Sequence, residues 1–324
     1  MLNAYALTDG KLDKLTFDPT HGIPDRAVWI DLFAPTAEEK TAAVALTAID
    51  IPSEADLNVL SDTERLYREN GNVYLEFTVI HRGPTGFVDI SDLGFILAGA
   101  RLVTVRYADP LPITKFATAY ARKPCIAPTA MGILTGLLES FVGRIGEYVE
   151  ANSVELYTIS RQVFASRKPG GGKTPDLEAV LDRLGTAGDI NAKARDSLAS
   201  IGRLLAFGAE DLEAMIDKPT RNALRAVRRD AVAVSDYANF VAGQLTFVLD
   251  AVLGLITVEQ NRIIKIFSVV ATLFIPPTLF ASLWGMNFKH MPELDWSYGY
   301  PFALVTIVLS AVLPYLFFRW RGWL

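Results

Sequence analysis

Alternating steps of three and four residues from Asp250 trace one face of a long helix through Gly254, Thr257, Asn261, Ile264, Ser268, Ala271, Ile275, Thr278, Ser282 and Gly285. This face is acidic at its first end, apolar around Ile264, Ala271 and Ile275, and polar again at its far end. Desolvating Asp250 or Asn261 against lipid or a dry helix seam is costly, so both favour a face in contact with water and ions. Small residues also let membrane helices approach closely, and that packing role fits the same spacing. Pro276-Pro277 removes two amide donors from the run. The freed backbone carbonyls suit a cation where they line a water-filled path. A different register, Leu245, Val248, Val252 and Leu255, supplies the ordinary hydrophobic face that packs against neighbouring helices.

Other chemistry is scarce. Gly170-Gly171-Gly172-Lys173-Thr174 does not fit the GxxxxGK[ST] phosphate loop and reads as a helix-connecting tip. The single cysteine, Cys125, excludes an intramolecular disulfide framework and a cysteine-based zinc site. His21, His81 and His290 are too remote from one another to suggest a histidine metal site. There is no nucleophile elbow, HExxH helix or dinucleotide fingerprint, and the chain does not read as an enzyme.

The stripe requires a membrane to run through. Residues 266–284 and 301–318 are free of charge over 19 and 18 positions, each about the length that crosses a ~30 Å hydrocarbon core. Arg262 and Lys265 precede the first run, Arg319 and Arg321 follow the second, and the loop between holds Lys289 against Glu293 and Asp295. The positive-inside rule then predicts cytoplasmic termini and an external loop over residues 285–300. Trp284, Trp296, Tyr298, Trp320 and Trp323 fall at the expected interfaces. Residues 1–15 lack an apolar core, so no signal peptide is expected. Two spans cannot enclose a pore, so conduction requires several copies of the chain.

Over 324 residues, 51% are hydrophobic and 21% charged, and the mean hydropathy is +0.26. That is too charged for a polytopic membrane protein and too apolar for an average soluble enzyme. The average hides a split: residues 1–260 carry 26 basic and 34 acidic side chains, a net of −8, and the remainder carries +3. An acidic body argues against nucleic acid as a partner. Residues 1–128 read as a mixed α/β domain. Hairpin strands at 4–7 and 12–15 flank Thr8-Asp9-Gly10, a strand spans 28–32, and Thr36 with Glu39 forms a capping box. Asn70-Gly71 turns the chain into a strand over 73–80, with further strands at 95–97 and 102–105. Residues 129–265 switch to helical periodicity, with helices over 130–166 and 176–216. No proline interrupts 221–275, which predicts one helix from Asn222 to Trp284 leading from the cytosol directly into the membrane.

The first span closes on Gly285-Met286-Asn287, and Met291-Pro292-Glu293-Leu294 follows in the loop. This signature, ahead of a second span and a basic tail at 319–324 ending Trp323-Leu324, resembles the CorA family of magnesium channels. The resemblance implies an α+β cytosolic domain of αβα type, long stalk helices, two transmembrane helices and a funnel-shaped homopentamer. It implies that the first span lines the pore and the second forms an outer ring. Gly285, Met286 and Asn287 are then the selectivity filter, and Asn261, Ile264, Ser268, Ala271, Ile275, Thr278 and Ser282 the pore lining. The family conducts Mg2+, often with Co2+ and Ni2+, and some relatives move Zn2+. Those zinc-type relatives often carry valine in the middle of the signature, so Met286 favours the magnesium branch. The doubled proline, Pro276-Pro277, departs from the single proline more usual there.

On this reading Asn287 carboxamides accept hydrogen bonds from the waters that Mg2+ gives up reluctantly, and Glu293 and Asp295 raise the local cation concentration. Ile264 with Phe267 or Ala271 forms an apolar constriction that gates by dewetting. Asp250 stands where the family places a carboxylate in an intersubunit regulatory site for Mg2+, with Asp89 and Asp92 as candidate partners. Expected partners are membrane lipid, divalent cations and further copies of the chain, in the cell inner membrane. The alternatives are a zinc-transporting relative or a membrane-anchored cytosolic sensor or scaffold, which has no need of the polar stripe.

Overall fold

The computed structural model describes residues 1–18, 21–59, 65–83, 86–122, 128–165, 176–211, 216–287, 291–292 and 296–322. The glycine-rich tip, Cys125, Lys289, His290, Glu293, Asp295 and the last two residues lie outside the described residues.

Strands β1 (Leu2–Thr8) and β2 (Lys11–Leu15) form the expected hairpin. Asp9 and Gly10 turn it at φ of 50° and 76°, the left-handed pair that a two-residue turn between right-twisted strands needs. Asn70 and Gly71, at 50° and 81°, do the same between β4 (Leu66–Glu69) and β5 (Asn72–Arg82). With β3 (Trp29–Phe33), β6 (Val88–Ala98) and β7 (Arg101–Arg106), these make a seven-stranded sheet in the order β2-β1-β3-β7-β6-β5-β4. Every pair is antiparallel except β3 beside β7.

Helix α1 (Ala37–Thr47) starts at the Thr36–Glu39 capping box, and Glu39 also accepts from the N-terminal ammonium at 2.9 Å. Ala42, Ala43, Ile49 and Ile51 pack on Ile30, Leu32, Ile96, Val103 and Val105 of the sheet. Leu57 of α2 (Glu54–Val59) lies over Gly94 on the same face, where an added Cβ would sit 3.5 Å from it. The opposite face is covered by α3 (Leu111–Tyr120) and α4 (Ala130–Ala165). Phe116 meets Trp29 edge-on at 5.9 Å, and Phe141 meets Phe77 at 5.7 Å. Gly136 makes this possible, because a Cβ there would fall 2.5 Å from the Phe116 ring.

Helix α5 (Leu177–Asp211) runs along β5 beyond the end of short β4: the Thr78 amide donates to Ser200 Oγ at 3.0 Å. Side-chain capture of that edge amide blunts an edge open to strand pairing. Two buried asparagines tie the long helices in register. Asn152 of α4 donates to the Ala187 carbonyl at 2.7 Å, and Asn191 of α5 donates to the Ala238 carbonyl at 3.1 Å. Ala238 belongs to α6 (Lys218–Trp284), 67 residues continuous through Pro276 and Pro277. Helix α7 (Gly299–Trp320) follows.

The chain divides into Met1–Val248, which holds the sheet with α1 to α5, and Leu249–Leu324, which holds the rest of α6 with α7. The long helices from residue 129 onward thus share a unit with the sheet, because α4 and α5 bury their apolar faces on it. Three features go beyond the strands and helices expected from sequence: α2, β4, and a β6 of 11 residues rather than a short strand at 95–97. Polar Asp89, Ser91 and Asp92 mask the start of β6, which nonetheless pairs with β5 along its whole length.

Candidate ion pathway

Within the second unit, Asp250, Gly254, Thr257, Asn261, Ile264, Ser268, Ala271, Ile275, Thr278, Ser282 and Gly285 are all exposed. From Ser268 to Gly285 the buried or half-buried positions are Val269, Leu273, Pro276, Pro277, Phe280 and Trp284. At 3.6 residues per turn these two sets lie about 180° apart on the helix. The half-buried set faces α7: Leu273 and Pro277 line an apolar cleft with Ile307, Val308, Ala311 and Tyr315, and Trp284 meets the Phe302 ring at 6.3 Å. Packing against α7 therefore leaves the small and polar stripe uncovered by the described residues of this chain.

Hydroxyls on the stripe turn their protons inward. Thr257 Oγ1 donates to the Leu253 carbonyl at 3.0 Å, and Ser268 Oγ donates to the Ile264 carbonyl at 2.8 Å. Thr278 Oγ1 donates to the Phe274 and Ile275 carbonyls, both at 2.9 Å. Each such oxygen is left with lone pairs and no proton to offer outward, which suits the water shell of a cation. Pro276 and Pro277 withdraw the amides that would reach the carbonyls of Thr272 and Leu273. Those two residues lie off the stripe, and Leu273 faces α7. Within the span the hydroxyls, rather than the freed carbonyls, are the oxygens this face carries.

The helix ends at the signature. The Gly285 amide still reaches the Ala281 carbonyl at 3.0 Å, while the Met286 amide reaches Leu283 at 3.4 Å, tightening the final turn. Met286 and Asn287 are exposed beyond it. Ile264 and Phe267, the expected constriction, are exposed at 61% and 70%.

The three carboxylates expected to bind regulatory Mg2+ differ sharply. Asp250 is exposed on the stripe. Asp89, at the solvent end of β6, accepts from the Ile90 amide at 2.9 Å and lies 4.0 Å from Lys193 Nζ. Asp92 is spoken for: Arg65 grips it at 2.7 and 3.4 Å, and the Thr78 hydroxyl donates to it at 2.5 Å. Sequence reasoning missed this, because only the β5–β6 register sets Thr78 opposite Asp92. Among the described residues no three His, Cys, Asp or Glu side chains of one chain converge on a metal position.

Helices α6 and α7 each contain an 18-residue window long and apolar enough to cross a membrane, with 6% and 0% of it buried by the chain. The family model for CorA-like Mg2+ transporter proteins matches residues 24–320. The chain is 29% identical over 324 residues to the magnesium transport protein CorA of Haemophilus ducreyi, covering both chains fully. Its fold superposes on the complete CorA magnesium transporter of Methanocaldococcus jannaschii with a TM-score of 0.78 at 18% identity, covering 100% of this chain and 99% of that one. The cytoplasmic domain of ZntB from Vibrio parahaemolyticus matches with a TM-score of 0.59 at 12% identity, over 78% of this chain and 96% of that one. Two exposed apolar helices joined to this sheet unit, and a family match over nearly the whole length, make the chain an integral membrane protein that belongs to the CorA-like Mg2+ transporter family.

Proposed function

We propose that the chain is one subunit of a homopentameric Mg2+ channel in which the α6 stripe lines the ion path and Gly285-Met286-Asn287 forms its outer filter. The observation that carries this reading is the unpartnered face of α6, opposite α7 and ending at Asn287. An anchor or scaffold needs no such face. Several copies must surround it, since two spans enclose nothing.

A ring of Asn287 carboxamides accepts hydrogen bonds from the waters of hydrated Mg2+ without stripping them, and so selects an ion that dehydrates reluctantly. Neutral oxygens also release the ion faster than carboxylates would. The inward-turned hydroxyls of Ser268 and Thr278 extend the same acceptor surface along the span, and Ile264 with Phe267 supplies an apolar gate. Glu293 and Asp295 concentrate cations outside. Basic Arg262, Lys265, Arg319 and Arg321 set both termini in the cytoplasm, and the bilayer is the cell inner membrane. Co2+ and Ni2+ share the octahedral habit and pass by the same route.

Cytosolic Mg2+ closes the channel by bridging Asp250 to a carboxylate of a neighbouring subunit, which relieves repulsion among bodies of net charge −8. Asp89 is the better partner of the two candidates, because Asp92 already neutralises Arg65. Uptake of Mg2+ into liposomes carrying the purified protein tests the filter. Asn287→Ala abolishes uptake while the oligomer survives in native mass spectra; unchanged uptake in a correctly inserted variant removes Asn287 from the filter.

A further inference from the structure

Glu76 sits in the middle of β5, 3% exposed, and neither carboxylate oxygen has a hydrogen-bond partner among the described residues. It lies across from Gly94 on β6, and Leu57 of α2 and Pro52 lie over the same face. Among the described residues, the charged groups around it are few. Arg65, just ahead of β4, attracts it, but that guanidinium is committed to Asp92 and Thr78. Asp92 from β6 and Asp56 from α2 repel a negative charge there. Tyr67 of β4 feels the same carboxyl, and Lys40 of α1 acts on Asp56. With Glu76 neutral, Arg65 is matched by Asp92; ionised, Glu76 is a buried charge with no hydrogen-bond donor among the described residues.

We propose that Glu76 is a proton-binding site of the sheet unit, protonated when α2 is closed over the sheet and ionised only at the expense of that packing. This regulation by pH is independent of the ion path. Burial first, then Asp92 and Asp56 against the opposing pull of Arg65, pushes the Glu76 carboxyl from 4.5 up to about 7. The folded chain therefore holds a proton across that window that the unfolded chain has lost. The contribution of Glu76 to stability falls as pH rises from about 4.5 to about 7 and stays at the lower level above it.

The test is thermal and denaturant unfolding of the full-length protein in detergent between pH 5 and pH 8, for wild type, Glu76→Gln and Glu76→Met. The wild-type unfolding constant is expected to rise about a hundredfold across that range through this group. Both variants lose that part of the slope and are more stable than wild type at pH 8. Infrared spectra of the wild type alone provide the second readout, a protonated-carboxyl band at pH 6 that disappears by pH 8. If either variant folds with the wild-type slope, or if the wild type has no such band, the proposal fails. Should both variants fail to fold, the wild-type band decides.

Discussion

Asp31 and Arg106 lie at the centre of the sheet, 1% and 5% exposed, and no buried polar atom of either side chain lacks a partner. Arg106 grips Asp31 at 3.0 and 3.1 Å and reaches Asp109 at 2.5 Å; the Thr104 hydroxyl donates to Asp31 at 2.8 Å. Trp29 Nε1 donates to Thr104 at 3.2 Å, and the guanidinium lies 4.4 Å from the centre of the Phe33 ring. Burial would lower the Arg106 pKa, but the Asp31 carboxylate outweighs it and holds the pKa above its ordinary value. Asp250, Asn261 and Asn287 on and beyond α6 are exposed. The Asp31–Arg106 centre therefore satisfies its polar groups internally, whereas the polar side chains of Asp250, Asn261 and Asn287 face outward. One region is a folding device, the other, on the function proposed above, an interface with water, ions or further copies.

That contrast sets the expected size of each perturbation. The largest belongs to the buried pair. Arg106→Ala strands the Asp31 charge and costs about 3–5 kcal/mol, read as a collapse of the thermal unfolding midpoint and loss of protein from the membrane fraction. A near-wild-type midpoint would mean that the sheet tolerates an unpaired carboxylate, and the distinction between the two regions would dissolve.

A smaller effect, on regulation rather than folding, is expected at Asp250. Asp250→Ala leaves the unfolding midpoint unchanged, since exposed charges contribute little to stability. It moves Mg2+ protection of the chain against proteolysis, and Mg2+ inhibition of transport, several-fold toward higher Mg2+. Wild-type behaviour in both assays across millimolar Mg2+ would sharpen the comparison by removing Asp250 from the interface.

Much of this was readable from local sequence signals. The Asp9-Gly10 and Asn70-Gly71 turns, the Thr36–Glu39 box and the proline-free run into the first span each report on a few neighbouring residues, and each appears in the fold as expected. The parallel pairing of β3 with β7 joins residues about seventy positions apart, which no local pattern encodes. The fate of Asp92 was hidden for the same reason: its partner Arg65 comes from the far side of a hairpin. Glu76 was invisible because both faces of β5 are covered, so alternation along the strand carries no sign of which side is wet. The stripe was legible because helix periodicity needs only one element, but its exposure required knowing which face α7 covers.

The most direct measurement takes a Cys125→Ser background, which removes the single native cysteine, and introduces cysteines one at a time at Ser268 and Thr278 on the stripe and at Leu273 and Phe280 on the α7 side. Each protein is reconstituted into liposomes, and Mg2+ uptake is followed before and after a charged thiol reagent. Modification at 268 or 278 is expected to block uptake, with Mg2+ slowing the modification, while 273 and 280 are indifferent. Block at 273 and 280 with none at 268 and 278 would contradict it.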